Sequence, residues 1–249
     1  MIPGERTGAP PRPAAVRAAC YVWWAGTEDA TPDLVRVLSA GERERLVRHR
    51  RPEDRARSLV GAALARVLLA RELACSPQDV PLDRTCPRCG EQHGKPRLRG
   101  AGDLELSIAH AAADVGVVVT RGAPVGLDVD RADGRGPRPD AALLPLVLSP
   151  TELSRWPAAA GWPELLRVWV RKEAVGKALG HGLALAPESF SVMSTSGPAP
   201  VVTGVDDEVH AGPVTLLDLP DRRGALAALA VLGSTVSVVE HDARPLLAR

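Results

Sequence analysis

The sequence predicts an α/β (α+β) protein made of two packed units, each containing helices and strands. Apolar residues recur at helical spacing in both halves of the 249-residue chain. Short β runs between turn residues also occur in both halves. A turn with Gly and Pro at residues 121–124 lies near the midpoint. We therefore expect a flexible tail over residues 1–15, an N-terminal half over 16–122 and a C-terminal half over 123–249.

The N-terminal half is predicted to contain one strand, a long helix and two further strands. Residues 21–24 form the first expected strand. A helix begins at residue 52, because proline in the first turn and two acidic residues after it favour a helix N-terminus. Apolar residues between 59 and 68 follow helical spacing, with arginines between them. Residues 104–108 and 115–120 are short β runs.

The C-terminal half is predicted to begin with a strand over residues 125–129. A loop rich in Gly and Pro follows over residues 133–140. Helical segments are expected next, and strands return in the last third of the chain. The expected helical segments cover residues 141–160 and 163–180, and the expected strands lie near 189–193, 214–218, 226–232 and 235–239.

The composition limits the classes of partner. The net charge is +1, so no overall cationic field would recruit nucleic acid or an acidic membrane. Residues 1–13 contain no apolar core of a secretion signal, and no stretch reaches the ~18 apolar residues of a membrane span. Four cysteines do not make a disulfide scaffold. We expect a cytoplasmic, monomeric protein with reduced thiols and no nucleic-acid or membrane partner.

Lysine is rare in this chain and falls in short, chemically suggestive segments. The chain has 31 basic residues, and only Lys95, Lys172 and Lys177 are lysines. A lysine retained in an arginine-rich chain suggests a site that needs a compact ammonium group rather than a planar guanidinium. Compositional accident is the weaker interpretation.

Two aspartates on the strand over residues 125–129 and its flank point to a cation. Side chains alternate on a strand, so Asp128 and Asp130 share the face opposite the apolar residues. They are about 7 Å apart at Cα, from a rise of ~3.3 Å per residue, and both can reach one ion. Taken alone, the pair is better explained by a solvated strand face. Aspartate is disfavoured in strands, however, so two on an apolar run require a reason.

A third carboxylate is predicted on the helix over residues 163–180. Trp169, Glu173 and Lys177 are successive i, i+4 neighbours on one helix face. A surface Glu–Lys pair is the simpler interpretation of that spacing. Three carboxylates together would select a hard ion, Mg²⁺ or Mn²⁺, rather than zinc. Lys177 could then meet a phosphate oxygen of a substrate.

The order of these motifs resembles the Sfp-type 4′-phosphopantetheinyl transferase family. The chain carries Gly-Lys-Pro at residues 94–96, a β run ending in His110 and Gly-Leu-Asp-Val-Asp at 126–130. Trp-x-x-Lys-Glu-Ala-x-x-Lys at 169–177 is the most specific of the motifs. The resemblance runs from about residue 39 to residue 193. It implies two pseudo-symmetric α/β halves with the active site between them, and the metal ligands in the C-terminal half.

The resemblance also implies roles for individual residues. Asp128, Asp130 and Glu173 match the metal ligands, and Lys177 matches the lysine that binds the pyrophosphate. Glu173, or a metal-bound water that it orients, is the implied general base. The implied contacts to coenzyme A are Arg45, Arg57, Lys95, His110 and Lys177.

Three positions depart from the pattern common in the family. Asp130 stands where Glu is common, so that ligand is one methylene shorter. Ala109 stands where Ser is common, which removes one hydroxyl contact. Glu42 lies near a position that is basic in some relatives. These departures could weaken binding, but none removes the core chemistry.

The activity that the resemblance implies is a transfer of phosphopantetheine. A serine hydroxyl of an apo acyl or peptidyl carrier protein would attack the β-phosphorus of coenzyme A, and 3′,5′-ADP would leave. Mg²⁺ and Lys177 would offset charge on the pyrophosphate. Carrier domains are generally acidic in these families, so the arginine-rich surface around residues 43–57 would steer them electrostatically. Carrier proteins of secondary-metabolite synthases are the expected partners.

A cysteine pair next to Lys95 suggests a second metal. Cys86 and Cys89, with His93, resemble half of a zinc site. Structural zinc requires four ligands, and no second C-x-x-C is present, so a reduced thiol pair is the simpler interpretation. A structural zinc at these three residues stays open.

Two other functions stay open at this stage. A non-catalytic coenzyme A-binding regulator of the same fold would be expected to lack a metal ligand or the lysine, and only Asp130 is altered here. A zinc-knuckle nucleic-acid-binding module is opposed by the near-zero net charge and the single knuckle.

Overall fold

The computed structural model describes residues 17–100, 102–133, 138–193, 202–204, 213–233 and 235–248. The predicted tail and part of the loop over 133–140 lie outside the described residues. The helices are α1 (Ala40–Arg48), α2 (Pro52–Leu73), α3 (Leu144–Val147), α4 (Pro150–Ser154), α5 (Trp162–Leu179) and α6 (Arg244–Leu247). The strands are β1 (Arg17–Gly26), β2 (Leu82–Asp83), β3 (Arg97–Leu98), β4 (Leu104–Ala111), β5 (Asp114–Arg121), β6 (Val125–Arg131), β7 (Val214–Arg222), β8 (Ala225–Leu232) and β9 (Thr235–Asp242).

The two halves repeat one topology. In the first half three strands pair antiparallel in the order β4–β5–β1, and in the second they pair antiparallel in the order β7–β8–β6. Each half starts with a strand, continues through a short capped helix (α1 or α4) and a long helix (α2 or α5), and then forms a hairpin. The predicted α/β fold with two pseudo-symmetric halves is therefore confirmed.

The last strand returns to the first half. Strand β9 pairs in parallel with β1 and forms an edge of the first sheet. The N–H of Ala243, just after β9, donates to the carbonyl of Trp24 at 2.8 Å. The boundary at residue 122 stays a prediction, because β9 joins the first sheet although it lies in the second half of the sequence.

The apolar residues form three clusters that define the layers. One cluster lies between α2 and one face of the first sheet. The second lies between the other face of that sheet and the second sheet. The third lies between the second sheet and α5. The order of layers is therefore helix, sheet, sheet, helix, and the two halves meet through their sheets.

Two predicted segments differ from the structure. Residues 141–160 form only a 3₁₀ turn and the short helices α3 and α4, since prolines start both helices and another follows α4. Residues 189–193 do not form the predicted strand, apart from one isolated bridge. The carbonyl of Phe190 accepts a hydrogen bond from Lys172, and the N–H of Val192 donates to Glu152. These side chains take the backbone groups that a sheet partner would use.

A buried ion pair holds α5 in the second half. The side chains of Lys172 on α5 and Glu152 on α4 are both 1% exposed, and their charged atoms are 2.5 Å apart. Glu152 also completes a capping box with Ser149. The Lys172 ammonium donates to three backbone carbonyls as well, those of Val147, Pro187 and Phe190. One compact ammonium thus joins α5 to α4 and to the segments on both sides of them.

The first half contains the same arrangement with arginine. Glu42 on α1 completes a capping box with Ser39 and forms an ion pair with Arg66 of α2. Arg66 is 2% exposed, so it is not one of the solvated arginines that the sequence pattern placed between the apolar positions. Glu42 is engaged in this pair and lines neither of the cavities described below. The further acceptors of Arg66 are the carbonyls of Pro77, Gln78 and Val80.

None of the helices in the described ranges combines the length and apolarity that a bilayer-spanning segment needs.

The Lys172 ion pair predicts a large loss of stability on substitution. We expect Lys172→Met to lower the free energy of unfolding by about 3–5 kcal/mol, because Glu152 would stay buried without its partner. Chemical denaturation of the purified protein measures this loss. The matched control is Arg167→Met on the same helix, where an exposed pair with Asp218 contributes about 0–1 kcal/mol. Equal losses in the two variants would contradict the assignment.

Candidate active site

Strand β6 presents alternate residues to opposite layers, as the sequence pattern predicts. The three apolar residues of 125–129 are buried between the two sheets, so Gly126 and Asp128 face α5. A methyl group on Gly126 would lie 2.0 Å from the backbone oxygen of Ala174. Glycine at this position therefore allows α5 to pack directly on β6, and this brings the helix face to the aspartates.

The three predicted metal ligands line one cavity. Asp128 is buried, whereas Asp130 and Glu173 are half-buried. The cavity has a volume of about 340 Å³ and opens between the two halves. The first half supplies part of its wall through α2 and the β4–β5 turn. The remaining lining residues are Arg57, His110, Ala111, Ala112, Val129 and Trp169.

Burial makes this concentration of carboxylates unfavourable without a cation. Desolvation raises the pKa of Asp128, Lys177 opposes that shift, and Asp130 adds to it. Desolvation also raises the pKa of Glu173, with repulsion from Asp128 as a second cause. Carboxylate oxygens from three side chains around one cavity are the donor type that a hard divalent cation prefers.

Lys177 connects the carboxylates with a second cavity. Its ammonium donates to Oδ1 of Asp128 at 2.6 Å and to the carbonyl of Leu127 at 3.1 Å. Lys177 also lines an adjoining cavity of about 480 Å³. The two cavities therefore adjoin at this side chain, and their volumes lie in the range of small-molecule sites.

The second cavity is lined by several basic side chains. Lys95 donates to the carbonyl of Ala178 at 3.1 Å and lies 3.4 Å from Oε2 of Glu105. Burial lowers the pKa of Lys95, while Glu105 opposes that shift. The basic residues in the lining are Arg84, Arg88, His93, Lys95, Lys177 and His181. A nearly neutral protein thus concentrates positive charge where an anion could enter.

Arg84 is a lining residue that the sequence argument missed. Burial lowers the pKa of its guanidinium, and repulsion from Arg45 adds to the effect. Arg45 therefore lies close enough to act on Arg84, although it lines neither cavity itself. The sequence around Arg84 did not indicate this role. Arg84 lies between β2 and Cys86, and only long-range folding of this loop brings it to the cavity.

Arg57 and His110 lie on the first-half side of the carboxylate cavity. Arg57 donates to the carbonyl of Ala112 at 2.7 Å and forms an ion pair with Asp54. Burial lowers the pKa of His110, and the charges of Lys177 and Arg57 lower it further. The structure therefore brings four of the predicted coenzyme A residues to the two cavities: Arg57, Lys95, His110 and Lys177.

Comparisons with known proteins agree with this geometry. The model of the 4′-phosphopantetheinyl transferase superfamily matches residues 124–227, which include both aspartates of β6 and all of α5. A 4′-phosphopantetheinyl transferase of Bacillus subtilis is 27% identical over 172 residues, or 68% of this chain and 70% of that protein. The 4′-phosphopantetheinyl transferase Sfp of Bacillus subtilis strain 168 is 26% identical over 170 residues, or 67% of this chain and 70% of that protein.

The fold, the site and these matches define an enzyme of the transferase class. The resemblance that the motifs predict is confirmed, because the superfamily model matches the part of the chain that carries the aspartates of β6 and all of α5. This outcome counts against the two non-enzymatic alternatives, the coenzyme A-binding regulator and the zinc-knuckle nucleic-acid module.

The electrostatics of the site predict how His110 titrates. We expect His110 to be neutral at pH 7, and we expect Lys177→Met to raise its pKa, because removing a nearby cation favours the protonated ring. NMR titration of the ligand-free protein measures this pKa. Lys95→Met is the control, since Lys95 is not among the groups that shift His110. An unchanged pKa in Lys177→Met, or an equal rise in Lys95→Met, would contradict the expected coupling.

Proposed function

We propose that this enzyme transfers the 4′-phosphopantetheine arm of coenzyme A to a serine of an apo acyl or peptidyl carrier protein, and that the reaction depends on Mg²⁺. One observation carries the proposal. Three carboxylates line one cavity, and one of them, Asp128, bonds to Lys177, which lines a second cavity with several basic residues. A cation site beside an anion site is the arrangement that a pyrophosphate substrate requires.

Asp128, Asp130 and Glu173 would hold the metal ion. Their carboxylate oxygens suit Mg²⁺, and Mn²⁺ would also fit such a donor set. When bound, the ion neutralises charge on phosphate oxygens. The contact between β6 and α5 supports this assignment, because it brings the strand that carries the two aspartates against the helix that carries Glu173.

The second cavity is the proposed place for the phosphates of coenzyme A. Lys95 and Arg84 line it, and Arg45 contributes charge from α1. Lys177 lines this cavity and bonds to Asp128 of the other one; it would meet the pyrophosphate, exchanging Asp128 for a phosphate oxygen. Arg57 and His110 would contact coenzyme A on the other side of the carboxylates. Local cations are required here because the protein as a whole is nearly neutral.

Glu173 is the proposed general base. Its carboxylate lines the cavity of the proposed metal site, so it could take the proton directly or orient a metal-bound water that does so. The carrier serine would lose its proton to Glu173, and its oxygen would bond to the β-phosphorus. The bond from that phosphorus to the departing 3′,5′-ADP would break. Lys177 would offset the charge that develops on the leaving pyrophosphate oxygen.

The proposed acceptor is a folded, acidic carrier protein, such as those of secondary-metabolite synthases. Arg48, Arg50 and Arg51 are exposed at the end of α1 and the start of α2. A positive patch of this kind would speed the encounter with an acidic partner. Action as a monomer in the cytoplasm, without nucleic acid or membrane, stays a prediction. The cluster of Cys86, Cys89 and His93 takes no part in this reaction.

Replacement of single carboxylates tests the proposed reaction. The enzyme is incubated with coenzyme A, Mg²⁺ and an apo carrier protein, and the carrier is followed by intact mass. We expect the wild type to add one phosphopantetheine per carrier. We expect Asp128→Asn and Glu173→Gln to slow transfer by about 10²–10³-fold or more, the loss typical of a preorganised electrostatic partner.

The control for this experiment is Asp133→Asn, which alters an exposed carboxylate just beyond β6 that pairs with Arg131. It should transfer at the wild-type rate. Near-normal turnover by Asp128→Asn or Glu173→Gln would remove that residue from the site, and failure of the wild type with every carrier tested would overturn the proposed function.

A further inference from the structure

The loop between β2 and β3 has almost no apolar core of its own. Over residues 84–95 only Cys86 is buried, and every residue from 87 to 93 is exposed. Cys86 belongs to none of the three described apolar clusters. A loop of this length with so little buried apolar surface needs another source of order, such as a metal or a disulfide.

Three soft donor groups meet inside this loop. One ligand atom each of Cys86, Cys89 and His93 lies within 4.8 Å of the other two. Sγ of Cys89 is 3.0 Å from Nε2 of His93. A tetrahedral zinc ion with bonds of ~2.3 Å to sulfur and ~2.0 Å to nitrogen holds its ligand atoms at separations of this size. His93 thus lies beside the cysteine pair, as the sequence pattern of these three residues suggests.

The backbone of the cysteine pair forms a tight turn. The pKa of the Cys86 thiol is lowered chiefly by the backbone N–H groups of Arg88 and Cys89. The N–H of Gly90 donates to the carbonyl of Cys86 at 2.9 Å, and Gly90 has φ of +75°. Glycine adopts this left-handed conformation without strain. These bonds direct the first sulfur and the following residues toward one point.

The two ends of the loop are fixed to each other below the ligands. The N–H of Gly94 donates to the carbonyl of Arg84 at 2.7 Å. A methyl group on Gly94 would lie 2.9 Å from the backbone oxygen of Thr85, so the backbones at the two ends of the loop approach closely. His93 is thereby held opposite the cysteine pair.

We infer that Cys86, Cys89 and His93 bind one zinc ion. Two thiolates and one imidazole are the donors that select zinc over the hard cation of the carboxylate cavity. Three protein ligands are one fewer than most structural zinc sites have; no fourth protein donor lies in this cluster among the described residues, so solvent would take the remaining position. Since the site is separate from the carboxylates, its existence does not depend on the proposed transfer reaction.

The zinc ion would order one wall of the second cavity. Cys86 and His93 line that cavity, and Lys95 follows His93 by two residues. An ion that joins the cysteine turn to His93 fixes the segment that leads directly into Lys95. The site is therefore structural, and it positions a basic residue that the proposed coenzyme A site uses.

Elemental analysis and limited proteolysis test the inference on the full-length protein. Protein purified without added metal and without chelator is expected to contain one zinc per chain. Cys89→Ser and His93→Ala should lose that zinc and still fold, because both side chains are exposed. Cys75→Ser is the matched control, since Cys75 packs against the first apolar cluster and lies outside the site. It should keep the wild-type zinc content.

Trypsin supplies the second readout, because Arg84 and Arg88 both lie in the loop. Zinc should protect the bonds after these residues, and a chelator should expose them in the wild type, with protection restored by added zinc. Two results would overturn the inference: wild-type protein that stays well below one zinc after reconstitution, or Cys89→Ser with undiminished zinc. A thiol count showing a Cys86–Cys89 disulfide in the native protein would also overturn it.

Discussion

The buried contact between Lys172 and Glu152 is the interaction on which the active-site half depends. It joins α5 to the capping box of α4 and to three carbonyl groups in two flanking segments. Glu173 follows Lys172 directly, so any shift of this contact would move the carboxylate that closes the proposed metal site. Four acceptors lie around this one ammonium group, a carboxylate oxygen and three backbone carbonyls, so the loss of Lys172 would leave several buried polar atoms without a donor.

The first half shows the same device with a different cation. A Ser-x-x-Glu capping box on a short helix receives a basic residue from the next long helix, and the carbonyls of a following 3₁₀ segment complete the site. The first half uses Arg66, and the second uses Lys172. The shared strand order and this shared ion pair show that the halves repeat at the level of interactions, although no short sequence repeat is visible. The carboxylates of the proposed metal site, Asp128, Asp130 and Glu173, all lie in the second half. The first half contributes basic residues such as Arg84 and Lys95 to the lining of the second cavity.

Local patterns in the sequence predicted many of the helices and strands but few of the long-range contacts between them. Alternation on β6 placed Asp128 and Asp130 on one face, and i, i+4 spacing placed Glu173 and Lys177 together, because both depend only on local geometry. The contact of Arg84 with the cavity and the return of β9 to the first sheet depend on long-range packing, which local periodicity does not contain. The expected strand over residues 189–193 failed for a related reason: distant side chains took its hydrogen-bonding groups. The capping box at Ser39 is a local sequence signal that indicates the start of α1, a helix missing from the predicted elements.

The central claim is that packing of α5 on β6 assembles a divalent-cation site from Asp128, Asp130 and Glu173. Calorimetric titration of Mg²⁺ into the enzyme saturated with coenzyme A tests it most directly, with Glu164→Gln as a carboxylate control from the first turn of α5. The account predicts one Mg²⁺ per chain in the wild type and in Glu164→Gln, and loss of that binding in Asp128→Asn and in Glu173→Gln. Equal Mg²⁺ affinity in all four proteins would contradict it.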